Sequence, residues 1–176
     1  VEVEEGSGMG IQSLIKHVEG LSDCDSHIKN WASKCVAVDI SSWVFKGAFS
    51  CAEELFNGGP YCTTKYIDYV VNRAGMFRFY GVEPIFVFDG RRTQLKAAES
   101  QRRKRAQEEN QRKAREFLSM SEQASSLEKK EQYKSIARDY MRKCVRVTWA
   151  LSARVLAALR QRGYRALVAP YEADAQ

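Results

Sequence analysis

Three short apolar runs without polar alternation punctuate the chain. They are Cys35-Val36-Ala37-Val38, Pro84-Ile85-Phe86-Val87-Phe88 and Ala166-Leu167-Val168-Ala169-Pro170. Runs of this length and composition read as strands buried on both faces. Between them the apolar period changes to that of a helix. Residues 42 to 56 carry a stripe at Val44, Ala48, Cys51 and Leu55, and Asn57-Gly58-Gly59-Pro60 stops it. Residues 63 to 80 place Ile67, Val70, Val71 and Ala74 on one face. Residues 144 to 162 repeat the pattern at Val147, Leu151, Val155 and Leu159, and Gly163 suits the position just past a helix end. A further short helix is expected from Ile11 to Val18. Strands alternating with helices predict an α/β fold with a parallel sheet whose strands end along one edge.

The stretch from about Gln94 to Tyr140 departs from this pattern. It is strongly helix-forming, highly charged and poor in apolar residues until Phe117-Leu118. Such a segment cannot be buried in a compact core. It reads as one or two helices projecting from the body, with a break between Met120 and Ser126. No internal repeat and no low-complexity linker interrupts the chain.

Charge sharpens this picture. The net charge is +6. Residues 91 to 116 hold ten Lys or Arg against four Glu, so this one segment carries the whole excess. A local basic stretch suggests a polyanionic partner. The plainer reading is a solvated helix laced with Glu–Lys pairs four residues apart. The 176 residues, 44% of them apolar, suffice for one domain with a core. No apolar stretch is long enough to span a membrane, and no signal peptide is recognisable. Five cysteines form no C-x-x-C pair and only His17 and His27 accompany them, which argues against zinc and for reduced, mostly buried thiols. Residues 1–8 are acidic and then flexible in composition, and read as a non-native remnant ahead of Met9.

The candidate chemistry lies where the strands end. Asp39 follows the first run, Asp89 the second, and Glu172 with Asp174 the third. Each acid alone has an ordinary explanation. Asp39 and the serines Ser41 and Ser42 can cap a helix, Asp89-Gly90 is a common turn, and acids favour helix starts. Their coincidence at one sheet edge is what capping does not require. Open α/β sheets bind ligands at that edge. Clustered carboxylates repel unless a cation sits among them, and hard oxygen donors select Mg²⁺ or Mn²⁺.

Four segments in order carry a resemblance: Met9-Gly10-Ile11-Gln12, Val36-Ala37-Val38-Asp39, Phe86-Val87-Phe88-Asp89-Gly90 and Ala169-Pro170-Tyr171-Glu172-Ala173-Asp174-Ala175. Together they resemble the XPG-type structure-specific 5′ nucleases, which include flap endonucleases and exonuclease 1 proteins. The resemblance covers nearly everything after Met9. Asp174 stands where flap endonucleases usually have a second Glu, and Trp43 to Ala48 with Cys51-Ala52-Glu53 also lean toward the exonuclease 1 side. The resemblance implies a three-layer αβα, PIN-like 5′ nuclease fold with a mainly parallel sheet. Residues 9–176 would be the N-terminal portion of one nuclease domain, with a helical arch at about 93–140 and the remainder of the domain beyond Gln176.

The same resemblance implies two-metal phosphodiester hydrolysis with Mg²⁺, for which Mn²⁺ can substitute. Asp39, Asp89, Glu172 and Asp174 match the family's metal-binding carboxylates, with Asp39 and Asp89 also counted as catalytic. Lys96 and Arg103 match its catalytic basic pair on the scissile phosphate. Their spacing of seven places both on one helical face. Gly10, Phe45, Arg92, Arg102 and Lys104 complete the implied DNA-contacting set. Phe45 stands where the family carries a stacking ring; a core Phe is the alternative. The implied substrate is DNA with a 5′ end, nick, gap or flap. The implied setting is nuclear DNA repair, with mismatch-repair and end-resection proteins as partners and no membrane. A flap endonuclease proper and a catalytically inactive junction binder remain as alternatives.

Overall fold

The computed structural model of the protein describes residues 27–90 and 97–171. Three strands form a parallel sheet in the order β1-β2-β3: β1 is Cys35–Asp39, β2 Glu83–Phe88 and β3 Arg165–Val168. The first crossover contains α1 (Ser41–Ser50), α2 (Ala52–Gly58), a 3-10 turn at Gly59–Tyr61 and α3 (Lys65–Phe79). The second contains α4 (Ala97–Gln123), α5 (Leu127–Lys143) and α6 (Trp149–Gln161). This is the expected α/β class, in agreement with an αβα, PIN-like arrangement. The expected helix at Ile11 to Val18 and residues 1–8 lie outside the described residues.

The core follows from the apolar stripes. Val44 and Ala48 of α1, Val70 and Ala74 of α3, and Val155 and Leu159 of α6 are fully buried with Phe86 of β2. Phe88 and Ala166 join the same cluster. Close approach of α1 to α3 depends on Gly47, where a Cβ would lie 2.8 Å from the Tyr66 carbonyl oxygen. The Arg154 side chain of α6 ties down the turn before α3. Its Nη1 donates to the carbonyls of Pro60 and Thr63 and to the Tyr66 hydroxyl, and its guanidinium lies over the Tyr61 and Tyr66 rings.

Four sequence expectations need correction. The strands are not uniformly buried on both faces. In β1 exposed and half-buried residues alternate, and in β3 only Ala166 is buried, with Leu167 and Val168 exposed. The central strand keeps Phe86, Val87 and Phe88 buried, whereas the two flanking strands are more exposed; apolar composition reports what a strand tolerates, not which neighbours reach it. Asp39 closes β1 rather than lying beyond it. The single helix expected over 42 to 56 breaks at Cys51, whose φ −122° and ψ 34° are not helical. The helix expected from Cys144 begins at Trp149, because the Thr148 side chain caps it by accepting from the Leu151 N–H. Gly163, at φ +72°, does end that helix as expected.

The charged stretch forms a helical hairpin, with α4 and α5 packed along one another. The break lies at residues 124–126, inside the expected window, and Ser126 caps α5 by accepting from the Lys129 N–H. Its few apolar residues are concentrated where the helices meet. Ala114, Ala137 and Met141 are buried together, with Phe117, Tyr140 and Phe56 of α2 packed against them. The Phe117 and Tyr140 rings stack with centroids 5.7 Å apart.

Candidate active site

The register of the sheet decides which strand ends meet. Asp39 pairs with Val87, so two residues further on Ser41 stands opposite Asp89. Pairing persists past the strand ends, because the Ile40 N–H donates to the Val87 carbonyl at 3.1 Å. Ser41 therefore reaches both acids. Its N–H donates to Asp39 Oδ1 at 2.9 Å, and its hydroxyl donates to Asp89 Oδ2 at 2.6 Å. Asp39 thus does satisfy a backbone donor at the start of α1, as the plainer reading of that residue holds. It does so while sharing a partner with a second carboxylate 50 residues away in sequence.

The third strand end joins from the other side. Phe88 pairs with Val168, which sets Asp89-Gly90 beside Ala169-Pro170. The Ala169 N–H donates to the Phe88 carbonyl at 2.9 Å, and the Gly90 N–H donates to the Tyr171 carbonyl at 2.5 Å. A Cβ on Gly90 would fall 1.8 Å from the Ala169 carbonyl oxygen, so only glycine permits this approach. The backbone immediately preceding Glu172 is thereby held against Asp89-Gly90. Glu172, Asp174, Gly10, Arg92 and Lys96 themselves lie outside the described residues. Among the described residues no group of three or more His, Cys, Asp and Glu side chains is assembled to hold a metal ion.

Arg103 lies on α4, half-buried, whereas Arg102 and Lys104 are exposed. Gln107, one turn further along the same face, anchors α4 to the end of α5. Its side chain donates to the Cys144 carbonyl at 3.0 Å and accepts from Arg146 Nη1 at 3.2 Å. Burial raises the Cys144 thiol above its ordinary pKa and does the same for Cys51. Arg115 reaches a cavity of about 190 Å³ between α2 and the root of the hairpin, walled also by Leu55, Phe56, Met141 and Leu151. Part of the basic excess is indeed spent on surface lacing. Lys104 Nζ lies 3.9 Å from Glu108, and Arg112 bridges Glu109 and Glu116 at 2.8 and 3.3 Å. Such exposed pairs contribute little to stability.

Phe45 is 42% exposed, which removes the core-Phe alternative. Its ring centroid lies 6.2 Å from that of Phe49, also exposed, and Arg142 of α5 sits over Phe49 at 5.9 Å. Phe49, Arg142, Ser41 and Gly90 escaped the sequence reading as site neighbours. The sequence signal for Ser41 was its place two residues after an acid, which reads equally as a helix cap. For Phe49 it was its position four residues after Phe45, on the same face.

Comparison with known proteins agrees with this construction. The XPG N-terminal domain matches residues 9–110. Exonuclease 1 of Danio rerio is 36% identical over 168 residues, covering 96% of this chain and 19% of the relative. Exonuclease 1 of Drosophila melanogaster is 37% identical over 168 residues, covering 96% and 21%. Exodeoxyribonuclease 1 of Schizosaccharomyces pombe is 37% identical over 172 residues, covering 96% and 27%. The chain spans about a fifth to a quarter of the length of these relatives. Parallel strands that bring Asp39, Ser41, Asp89 and Gly90 to one edge, together with that match, make the chain a member of the XPG N-terminal domain family.

Proposed function

We propose that the chain supplies the N-terminal part of the catalytic centre of a metal-dependent 5′→3′ DNA exonuclease that also cleaves 5′ flaps. The observation that carries this reading is the tie between Asp39 and Asp89 through Ser41 at the edge where adjacent parallel strands end. The names of the relatives, exonuclease and exodeoxyribonuclease, supply the reaction and the substrate class.

The donors present suit a hard divalent cation. Asp39 and Asp89 offer carboxylate oxygens at an accessible edge, and Glu172 and Asp174 follow the segment held against Gly90. These four would hold two Mg²⁺ ions, or Mn²⁺ in their place. When bound, such ions neutralise charge on the reacting phosphate and activate the attacking water. The chain's own groups do the rest. Ser41 orients two of the carboxylates. Lys96 and Arg103 face the scissile phosphate and stabilise the charge that builds there. Phe45 stacks on a terminal base, worth ~1–3 kcal/mol. Arg92, Arg102 and Lys104 attract the backbone, and Gly10 lets the chain approach it closely. The hairpin of α4 and α5 is the arch beside which the 5′ end passes. The setting that follows is the nucleus, in repair with mismatch-repair and end-resection proteins. Among the described residues no helix is long and apolar enough to cross a membrane.

The test uses the intact protein with Mg²⁺ and duplexes that are blunt, nicked, 5′-recessed or flapped. Nucleotide release from 5′ ends that stops with EDTA is expected, faster on nicked and recessed duplexes than on flaps. Faster flap cleavage would favour a flap endonuclease proper. Tight junction binding with no Mg²⁺-dependent cleavage would instead identify an inactive binder.

A further inference from the structure

We infer that Ser41 is a positioning residue for the metal-binding carboxylates, setting the orientation of both Asp39 and Asp89 through two donors of one residue. This rests on the nuclease reading above and adds a part to it.

Ser41 is the first residue of α1, and its two donors diverge. The N–H goes to Asp39 at 2.9 Å and the hydroxyl to Asp89 at 2.6 Å. The second distance lies in the range of charge-assisted O–H···O⁻ bonds, which are roughly twice as strong as neutral ones. Each bond takes up one oxygen of its carboxylate and so fixes the rotation of that group. Two acids that repel one another are thereby presented at a set separation before any cation arrives. The hydroxyl is not used to cap α1. The N-cap position is Ile40, with no side-chain cap hydrogen bond, and the Ser41 side chain turns across to the neighbouring strand instead.

The support beneath Ser41 is rigid. Ile40 is fully buried and its N–H is held by Val87. Further along the helix Gly47 brings α1 against the α3 backbone, and Val44 and Ala48 are fully buried. Ser41 can therefore not drift without moving a helix locked into the core. Ser42, its exposed neighbour, has no such part. Groups of this kind, which bind the ligands rather than the metal, typically alter metal affinity by about 10- to 100-fold when removed.

The experiment compares the intact wild-type protein with Ser41→Ala, Ser41→Thr and Ser42→Ala. Mn²⁺ binding is measured by calorimetry in the absence of DNA, and duplex binding in EDTA by fluorescence anisotropy. Single-turnover cleavage is titrated with Mg²⁺, and thermal melts check folding. Ser41→Ala is expected to weaken Mn²⁺ binding about 10-fold or more and to raise the Mg²⁺ needed for half-maximal cleavage in step. Its DNA affinity in EDTA should stay that of wild type, and its melting transition should stay cooperative with only the small fall in midpoint that one lost hydrogen bond brings. Ser41→Thr, which keeps the hydroxyl, should restore most of the metal affinity, and Ser42→Ala should change nothing. Mn²⁺ affinity in Ser41→Ala equal to wild type overturns the inference. So does an equal loss in Ser41→Ala and Ser41→Thr, because the hydroxyl would then not be what matters. If wild type itself neither binds Mn²⁺ nor cleaves, it is the nuclease reading that fails.

Discussion

Replacing Gly90 with Ala tests how the third strand end is delivered to the site. The added Cβ would stand 1.8 Å from the Ala169 carbonyl oxygen and 3.0 Å from the carbonyl carbons of Ala169 and Pro170. Those atoms are backbone, so no side chain can swing aside. The segment 169–171 must retreat by more than an ångström, and the bond from the Gly90 N–H to the Tyr171 carbonyl is lost with it. Overpacking of this kind costs ~1–3 kcal/mol and the hydrogen bond ~0.5–1.5, which gives a loss of about 1.5–4.5 kcal/mol. Gly75 is the matched control. It lies inside α3, and a Cβ there meets nothing within 4 Å. Gly75→Ala should raise stability by about 0.5–1 kcal/mol through helix propensity. Urea unfolding of both variants gives the two free energies directly. Calorimetry with Mn²⁺ should also show Gly90→Ala binding more weakly, because Tyr171, which leads into the proposed ligand Glu172, is pushed away from Gly90. Wild-type stability together with wild-type Mn²⁺ affinity in Gly90→Ala would refute the placement of this segment.

Three further outcomes follow from the site and the core. Asp89→Ala in the intact protein should abolish Mg²⁺-dependent cleavage while leaving DNA affinity unchanged or tighter, since an acid near phosphates is removed; near-wild-type single-turnover rates would contradict the role given to it. Arg103→Ala should lower the cleavage rate about 100- to 1000-fold with a much smaller loss of binding, whereas Arg102→Ala on the exposed face should mainly weaken binding. Equal effects of the two on the cleavage rate would make the basic run a diffuse clamp. Burial, the largest influence, holds the Cys51 and Cys144 thiols above their ordinary 9.0, so the fold retains protons that the unfolded chain releases. Their contribution to stability is intact below pH 9.0 and is lost as pH rises through the raised folded values. The urea midpoint of wild type should accordingly fall more steeply above pH 9.0 than that of Cys51→Ala/Cys144→Ala, and parallel curves would count against it.

Much of the fold is written in local pattern. Strand and helix identity depend on which side chains recur every two or every 3.6 residues, and both periods are visible in the chain itself. Hence the runs at Cys35, Pro84 and Ala166 mark the three strands, Gly163 marks a helix end, and the charged stretch declares a hairpin apart from the core. Asp39 and Asp89 at the ends of their strands were legible for the same reason, as was the family, because motif order survives without any contact being known. Contacts between distant residues were not legible. That Ser41 binds Asp89 rather than capping its own helix depends on a register between strands 48 residues apart. The burial of Ala114 and Ala137 depends on α4 and α5 folding back on one another, with Phe56 of α2 packed against the same cluster. The exposure of Phe45, Leu167 and Val168 depends on which of the described elements pack over them. Local periodicity says that a residue can be buried; only the assembled neighbours, each positioned by its own packing, decide whether it is.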